Sequence, residues 1–374
     1  MFIEEIKLIH YRNYENEKIT PHEGINIIVG ENAQGKTNLI EAMFFLSRGY
    51  SHRASNVAEL AQWDHDDFFM NAIVVSHGVR HTLSVKCKQG KRQFLLDGKI
   101  KKREKITGIF NTILFEPDDL KIVKEGPEKR RRFINQEISG FKPEYHYLLR
   151  DYEKILNQRN TLLKNIRYEP SLNTTIDVWD EQLVQVGTRL MHHRIRYLHR
   201  LNREANALHK ILSRGKENLS LYYQNNLIDS LEDSKEIQRI FREKLKASHE
   251  EEVLRGSTIY GPHVDDIVIQ INGKDARRFG SQGQQRCAAI SLKLSQIEIY
   301  FDNTGEYPVV LLDDIFSELD ENRRKSIIAL LNKNQAFITC TEDFIATQEL
   351  KEKKHIIAIH QGKASEITPI IEEN

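Results

Sequence analysis

From Met1 to about Phe115 the apolar residues fall in short, strand-like runs: Phe2–Ile9, Gly24–Val29, Phe68–Val75, Val79–Cys87, Phe94–Leu96 and Ile109–Phe115. One stretch breaks the series. From about Gly35 to Ser47, Leu39, Ile40, Met43, Phe44 and Leu46 recur at helical spacing. Gln89-Gly90 reads as a hairpin turn. From Pro117 to about Leu212 the period becomes helical, first through Tyr145, Leu148, Leu149, Tyr152, Ile155, Leu156, Leu162 and Ile166. It continues through Trp179, Leu183, Val186, Leu190, Tyr197, Leu201, Ala205, Leu208 and Leu212, with Pro170 and Asn173 between the two stretches. These predict either a helical hairpin with a coiled-coil-like seam or two ordinary bundle helices.

Beyond this stretch, Leu219–Tyr223 predicts a strand and Lys235–Glu252 a helix. Asp266–Ile271 predicts a strand closed by an Asn272-Gly273 turn, and Gln282–Phe301 a helix. Val309–Leu312, Ala336–Thr339 and Ile356–His360 read as strands, with a helix at Glu321–Leu331. Strand–helix alternation at both ends of the chain, with helices in the middle, predicts an α/β fold. Its mixed sheet with flanking helices is interrupted by an inserted α-helical lobe. The expected division is 1–116, 117–255 and 256–374, the outer two forming one discontinuous lobe.

Gly30-Glu31-Asn32-Ala33-Gln34-Gly35-Lys36-Thr37 matches G-x-x-x-x-G-K-[ST], directly after an apolar strand and at the start of a helix. This layout suits a phosphate. Backbone N–H groups of the loop converge, and the helix dipole adds positive potential at the same place. Lys36 is expected to bridge the β- and γ-phosphates of ATP, and the Thr37 hydroxyl to ligate Mg²⁺. Val309–Leu312 then runs into Asp313-Asp314, a buried strand ending in carboxylates, as in the Walker B motif. Asp313 is the candidate Mg²⁺ carboxylate and Asp314 the candidate base for the attacking water. Ser281-Gln282-Gly283-Gln284 opens a helix ahead of that strand. One reading is a capping box, Ser281 with Gln284. The other is the signature motif of ABC-type ATPases, which meets the nucleotide of a second subunit.

Composition changes the picture only when divided along the chain. The 55 Lys+Arg and 54 Asp+Glu give a net charge of +1, which excludes a simple polycationic DNA coat. Residues 80–132, however, hold 16 Lys+Arg and 7 Asp+Glu, a surplus of +9 that leaves −8 for the remainder. Lys101, Lys102, Arg103, Arg130, Arg131 and Arg132 are the candidate contacts to a DNA backbone, and no base-reading motif accompanies them. A second basic cluster occupies 189–214. No apolar window is long enough for a membrane span. The N-terminal residues lack the pattern of a signal peptide. Cys87, Cys287 and Cys340 lie far apart, so a reducing, cytoplasmic setting is expected. His10, His263 and His192-His193 read as solvated or packing residues rather than metal ligands.

Six segments carry a resemblance. They are LIHYRNY at 8–14, GENAQGKTNLIEA at 30–42, FEPDDLKIVKEGPEKRRRFIN at 115–135, GPHVDD at 261–266, GSQGQQR at 280–286 and LLDDIFSELD at 311–320. In this order they resemble the RecF family of SMC-like, ABC-type ATPases. The resemblance implies an ABC-type P-loop ATPase head whose rod is a short helical hairpin. It further implies an ATP-dependent homodimer on DNA, action with RecR and RecO, loading of RecA at gaps and links to replication and the SOS response. Arg12 and Asn13 become candidate nucleotide contacts, and Ser317 and Asp320 candidate D-loop residues. Val264 and Asn135 depart from the family's usual Arg and Asp. Compared with ABC transporters, Asp314 replaces a catalytic Glu, and Thr339 or Thr341 stands where a switch His is usual. Slow hydrolysis, with ATP as a timer for the dimer, is therefore expected; the alternative is a DNA-binding module switched by ATP binding alone. A transporter motor is disfavoured, because 277 residues separate Lys36 from Asp313.

Overall fold

Alternating apolar positions build strand β1 (Phe2–Tyr11), and the chain returns as β2 (Tyr14–Ile19). Only the two ends of β2, Tyr14 and Ile19, are buried, so its sequence carries no periodic signal. β3 (Ile25–Val29) is buried at all five positions and leads through the Gly-rich loop into α1 (Lys36–Arg48). β4 (Asp67–Ser76), β5 (Val79–Lys88), β6 (Lys91–Leu96) and β7 (Lys99–Lys101) follow as successive hairpins, and then β8 (Thr112–Phe115). The predicted Gln89-Gly90 turn has φ of 49° and 73°, the left-handed pair that a two-residue hairpin needs. The structure is a computed structural model, and it describes residues 1–103, 106, 108–227, 233–316, 319–341 and 355–367.

The helical stretch comprises α2 (Lys121–Lys124), α3 (Pro127–Phe141), α4 (Pro143–Ile166) and α5 (Ile176–Leu212). Proline begins both α3 and α4, where its missing N–H costs nothing. Next come β9 (Leu219–Gln224), α6 (Ser234–Ala247), α7 (His249–Arg255), β10 (Asp266–Ile271), β11 (Lys274–Asp275) and α8 (Ala276–Phe279). α9 (Gln282–Leu294), α10 (Gln296–Thr304), β12 (Val309–Leu312), α11 (Glu321–Leu330), β13 (Ala336–Cys340), β14 (His355–His360) and β15 (Lys363–Ile367) complete the described chain. Two predicted single helices are each divided in two. The breaks fall at Ser248 and Ser295, whose hydroxyls donate back to the carbonyls of Leu245 (3.3 Å) and Leu292 (3.1 Å). Such bonds compete with the helical ladder.

Two compact units result. The first comprises Met1–Asp119, Ile211–Arg214 and Ile290–Asn374; the second comprises Leu120–Lys210 and Gly215–Ala289. Residues 256–289, expected with the ATPase lobe, belong to the second unit. The reason is β-pairing: β10 pairs antiparallel with β9, Ile267 opposite Tyr223 and Ile271 opposite Leu219. In the first unit, β14-β3-β13-β12-β8 form a parallel sheet, with β15 antiparallel at its edge. A second, antiparallel sheet runs β2-β1-β4-β5-β6-β7. α1 is apolar nearly all round, and Leu39, Ile40, Met43, Phe44 and Phe45 share one core with residues of both sheets. That burial fixes α1, and so holds the preceding loop at the carboxyl end of β3. No helix among the described residues is long and apolar enough to cross a membrane.

Candidate nucleotide site

The loop between β3 and α1 has a shape that few residue types tolerate. Gly30 has φ of 149°, and a Cβ there would lie 2.3 Å from the Ile359 carbonyl oxygen on β14. Ala33 is left-handed at φ 65°. The Tyr14 hydroxyl donates to the Gly35 carbonyl (2.9 Å), and Asn13 Nδ2 donates to the Gln34 carbonyl (2.7 Å). From the other side, the turn between β14 and β15 grips the same residue. Gln361 N–H donates to Gln34 Oε1 (2.6 Å), and Gly362 N–H to the Gln34 carbonyl (3.1 Å). Lys36 Nζ donates to the Gly30 and Glu31 carbonyls at 2.5 and 2.9 Å, folding its charge across the loop.

Sheet order brings the second half of the site to this loop. β12 lies two strands from β3, with β13 between them. At its end Asp313 is only 5 % exposed. Its Oδ1 accepts from the Thr37 hydroxyl (3.2 Å) and from the Thr339 hydroxyl (2.7 Å). Thr339 in turn accepts from the Asp314 N–H (2.8 Å), holding Asp314 at φ 50°. Thr339 therefore ties the two adjacent aspartates together. Burial, and then the charge of Asp314, raise the Asp313 pKa, against the two hydroxyls that lower it. A buried carboxylate with hydroxyl partners is a donor set for a hard cation. Thr37 and Asp313 thus fit the Mg²⁺ that accompanies ATP in such enzymes.

One neighbour escaped the sequence reading. β8 pairs in parallel with β12, Phe115 opposite Leu312, and Asp313 N–H donates to the Phe115 carbonyl (2.9 Å). Glu116 therefore ends its strand beside Asp313. Burial, with Asp119 and other carboxylates, raises its pKa to about 7. Its Oε2 lies 3.2 Å from Nε2 of His52, whose pKa burial lowers to about 4. Burial drives both groups toward neutrality, so between about pH 4 and 7 this is a neutral pair. The signal was present in the sequence: TILF-Glu116 repeats the pattern of VVLL-Asp313, an apolar strand ending in a carboxylate.

The remaining predicted residues divide. Asn13 sits at the loop, where its Oδ1 also accepts from Asn38 Nδ2 (2.9 Å). Arg12 instead turns toward α1, with two 2.9 Å bonds to the fully buried Glu41 and one to the Glu59 carbonyl. Ser281 and Gln284 make the capping box: Ser281 N–H donates to Gln284 Oε1 (2.8 Å), and Ser281 Oγ accepts from Gln284 N–H (3.3 Å). Ser281, Gln282 and Gly283 are exposed, and Gln284 Nε2 donates to Glu217 (2.8 Å). Asp320 caps α11 by accepting from Arg323 N–H (3.0 Å), while Ser317 lies outside the described residues.

Among the basic candidates, Lys101, Lys102 and Arg132 are exposed. Arg130 is not a surface cation: it is 5 % exposed and paired with Asp266 at 2.7 and 2.8 Å. It stands on the inward stripe of α3 with Phe133, Ile134 and Glu137, which a run of four basic residues conceals. Arg131 donates to the Asp265 carbonyl (2.7 Å), and Arg103 lies over the Tyr50 ring at 5.5 Å.

A P-loop and a buried strand ending in two carboxylates, with one strand between them, form the core of an ABC-type ATPase head of the SMC class. A family model described as the RecF/RecN/SMC N-terminal domain matches residues 2–365. A DNA replication and repair protein RecF from Halothermothrix orenii is 42 % identical over 92 % of this chain and 93 % of its own. A RecF from Clostridium acetobutylicum is 39 % identical over 98 % of this chain and 100 % of its own. The chain belongs to the RecF family. A solved structure of the recombination mediator RecF with ATP, described as part of the RecFOR pathway, superposes with a TM-score of 0.89. It is 34 % identical and covers 98 % of both chains. An SMC head bound to the winged-helix domain of ScpA shares the fold, with a TM-score of 0.57 at 17 % identity.

Proposed function

We propose that this protein is an ATP-driven DNA clamp of recombinational repair and replication. The observation that carries the reading is the meeting of Thr37 and Asp313, 3.2 Å apart, on a P-loop held rigid from both sides. Gly30 to Thr37 supply the phosphate cradle, and Lys36 swings from the Gly30 and Glu31 carbonyls to the β- and γ-phosphates. Thr37 and Asp313 would hold Mg²⁺, which would supply neutralisation of charge on the phosphate. Asp314, fixed by Thr339, orients the attacking water. Its side chain is one methylene shorter than glutamate, so turnover is slow and ATP times the dimer's lifetime. Ser281 of one copy meets the γ-phosphate held by the other.

Lys101, Lys102 and Arg132 contact the DNA backbone without reading sequence. RecR and RecO act with the clamp to load RecA at single-stranded gaps, which supports SOS induction in the cytoplasm. The similarity to RecF with ATP in the RecFOR pathway over nearly the full chain supports this assignment. Retention of gapped DNA on the immobilised protein tests it. Retention should require ATP, fail in Lys36→Met, and fall steeply between low and moderate salt, as counter-ion release dictates. ATP-independent, salt-insensitive retention would reject the clamp.

A further inference from the structure

We propose that His10, His65 and Asp67 form a binding site for a divalent transition metal of the zinc class. No pair of these residues has ligand spacing within one element; the fold assembles them. Asp67 opens β4, which pairs with β1 so that Phe69 lies opposite Ile9. The loop before β4 is tied to β1 by its backbone. Gln62 N–H donates to the His10 carbonyl (2.8 Å), and His65 N–H to the Gln62 carbonyl (3.1 Å). Tyr11 and Ala61 form a β-bridge. Asp64 takes φ 68° to turn the chain between them.

On this frame the His10 and His65 rings stack with centroids 3.8 Å apart and planes 23° from parallel. His10 Nδ1 lies 3.8 Å from Asp67 Oδ1. One donor atom from each of the three side chains falls within 4.8 Å of the others, and no other trio of His, Cys, Asp and Glu does so among the described residues.

Metal–ligand bonds of about 2.1 Å place two donors of a tetrahedral ion about 3.4 Å apart. Coordination would splay the stacked rings while turning one nitrogen of each toward the Asp67 carboxylate. Two imidazoles and one carboxylate favour Zn²⁺, Ni²⁺ or Cu²⁺ over Mg²⁺ or Ca²⁺, which take oxygen donors. His10 and Asp67 are 32 % and 54 % exposed, so water completes the coordination. Asp64 and Asp66, beside His65 in sequence, add negative charge. The competing explanation is a plain histidine–carboxylate contact that holds no metal.

Calorimetric titration of the full-length, nucleotide-free protein with Zn²⁺ separates the two. The parent should bind one tight Zn²⁺ above the weak background of its 15 histidines. His65→Ala and Asp67→Asn, which alter exposed side chains, should each weaken that site at least about tenfold, no less than loss of an outer-shell partner costs. Trp63, 91 % exposed and two residues from His65, gives a second readout. Cu²⁺ should quench its fluorescence in the parent at stoichiometric concentration, and no longer do so in His65→Ala. A parent that binds no Zn²⁺ tightly, or variants that bind as tightly as the parent, would overturn the site.

Discussion

Two buried charged clusters, one in each unit, are built on opposite plans. In the second unit Arg159, fully buried on α4, bonds Asp180 (2.6 Å), the fully buried Glu252 (2.7 Å) and the Thr258 hydroxyl (2.7 Å). Glu252 also accepts from Ile259 N–H (2.9 Å). One guanidinium serves both carboxylates, and the polar atoms named here find their partners within the fold. In the first unit Asp313 is almost as deeply buried, yet its side chain is held by two hydroxyls, and the largest charge effect on it comes from another carboxylate, Asp314. The first cluster is closed and holds structure. The second sets a buried carboxylate against two hydroxyls, the arrangement that the proposed Mg²⁺ site requires.

The largest effect that could break this contrast is on stability. Arg159→Met leaves Glu252 and Asp180 without their cation, and should cost about 3–5 kcal/mol of unfolding free energy. ATP affinity of the remaining folded protein should be unchanged. Chemical denaturation checks this, and a cost below about 1 kcal/mol would mean that the cluster is not closed. Asp313→Asn is the mirror image. It removes a charge that burial disfavours, so the nucleotide-free protein should be as stable as the parent or more so. Mg²⁺-dependent ATP hydrolysis should fall at least about a hundredfold, the scale of several kcal/mol of lost charge stabilisation.

A smaller effect concerns pH. Glu116 in the fold keeps its proton up to about pH 7, whereas an ordinary glutamate loses it near 4.5. Between those values the unfolded chain binds fewer protons, so this group makes stability fall as pH rises, and the loss is complete above 7. Glu116→Gln should therefore gain on the parent by up to about 3 kcal/mol at pH 8 and little at pH 4.5. His52, lowered to about 4 from 6.5, contributes the opposite slope at low pH, so the parent–variant difference carries the test. A difference that does not change with pH would show Glu116 to be an ordinary surface carboxylate.

The smallest effect is at Gly362, φ 74°, where a Cβ would lie 2.1 Å from the Asn13 carbonyl oxygen. Gly362→Ala should loosen the grip on Gln34 and weaken ATP binding severalfold, a cost of about 1–2 kcal/mol. Equilibrium nucleotide titration checks it.

The same contrast explains what could be read in the chain beforehand. The P-loop and the Walker B strand are local: a strand, a defined turn and its chemistry lie within a few residues. Lys36, Thr37 and Asp313 were therefore legible, and sheet order brings Thr37 and Asp313 together. Arg159 was not. It occupies the seven-residue repeat of Tyr145, Tyr152 and Ile166 on α4, but its charge marks it as a surface residue until Glu252, 93 positions away, is seen beside it. Arg130 misled for the same reason, its partner Asp266 lying 136 residues on. β2 and β7 are not among the predicted strands, because each is short and mostly exposed with little apolar alternation. The apolar run before Glu116 marks a strand end, but only the parallel register with β12 sets that residue next to Asp313.

In the proposed clamp, ATP joins two copies through Ser281 of one and the phosphate cradle of the other. Sedimentation velocity of the parent and of Ser281→Arg, each with and without Mg²⁺·ATP and gapped DNA, tests it most directly. The parent should shift to a dimer only with ATP and DNA, while Ser281→Arg stays monomeric yet binds ATP as the parent does. A Ser281→Arg protein that dimerises like the parent, or one that loses ATP binding as a monomer, would contradict the account.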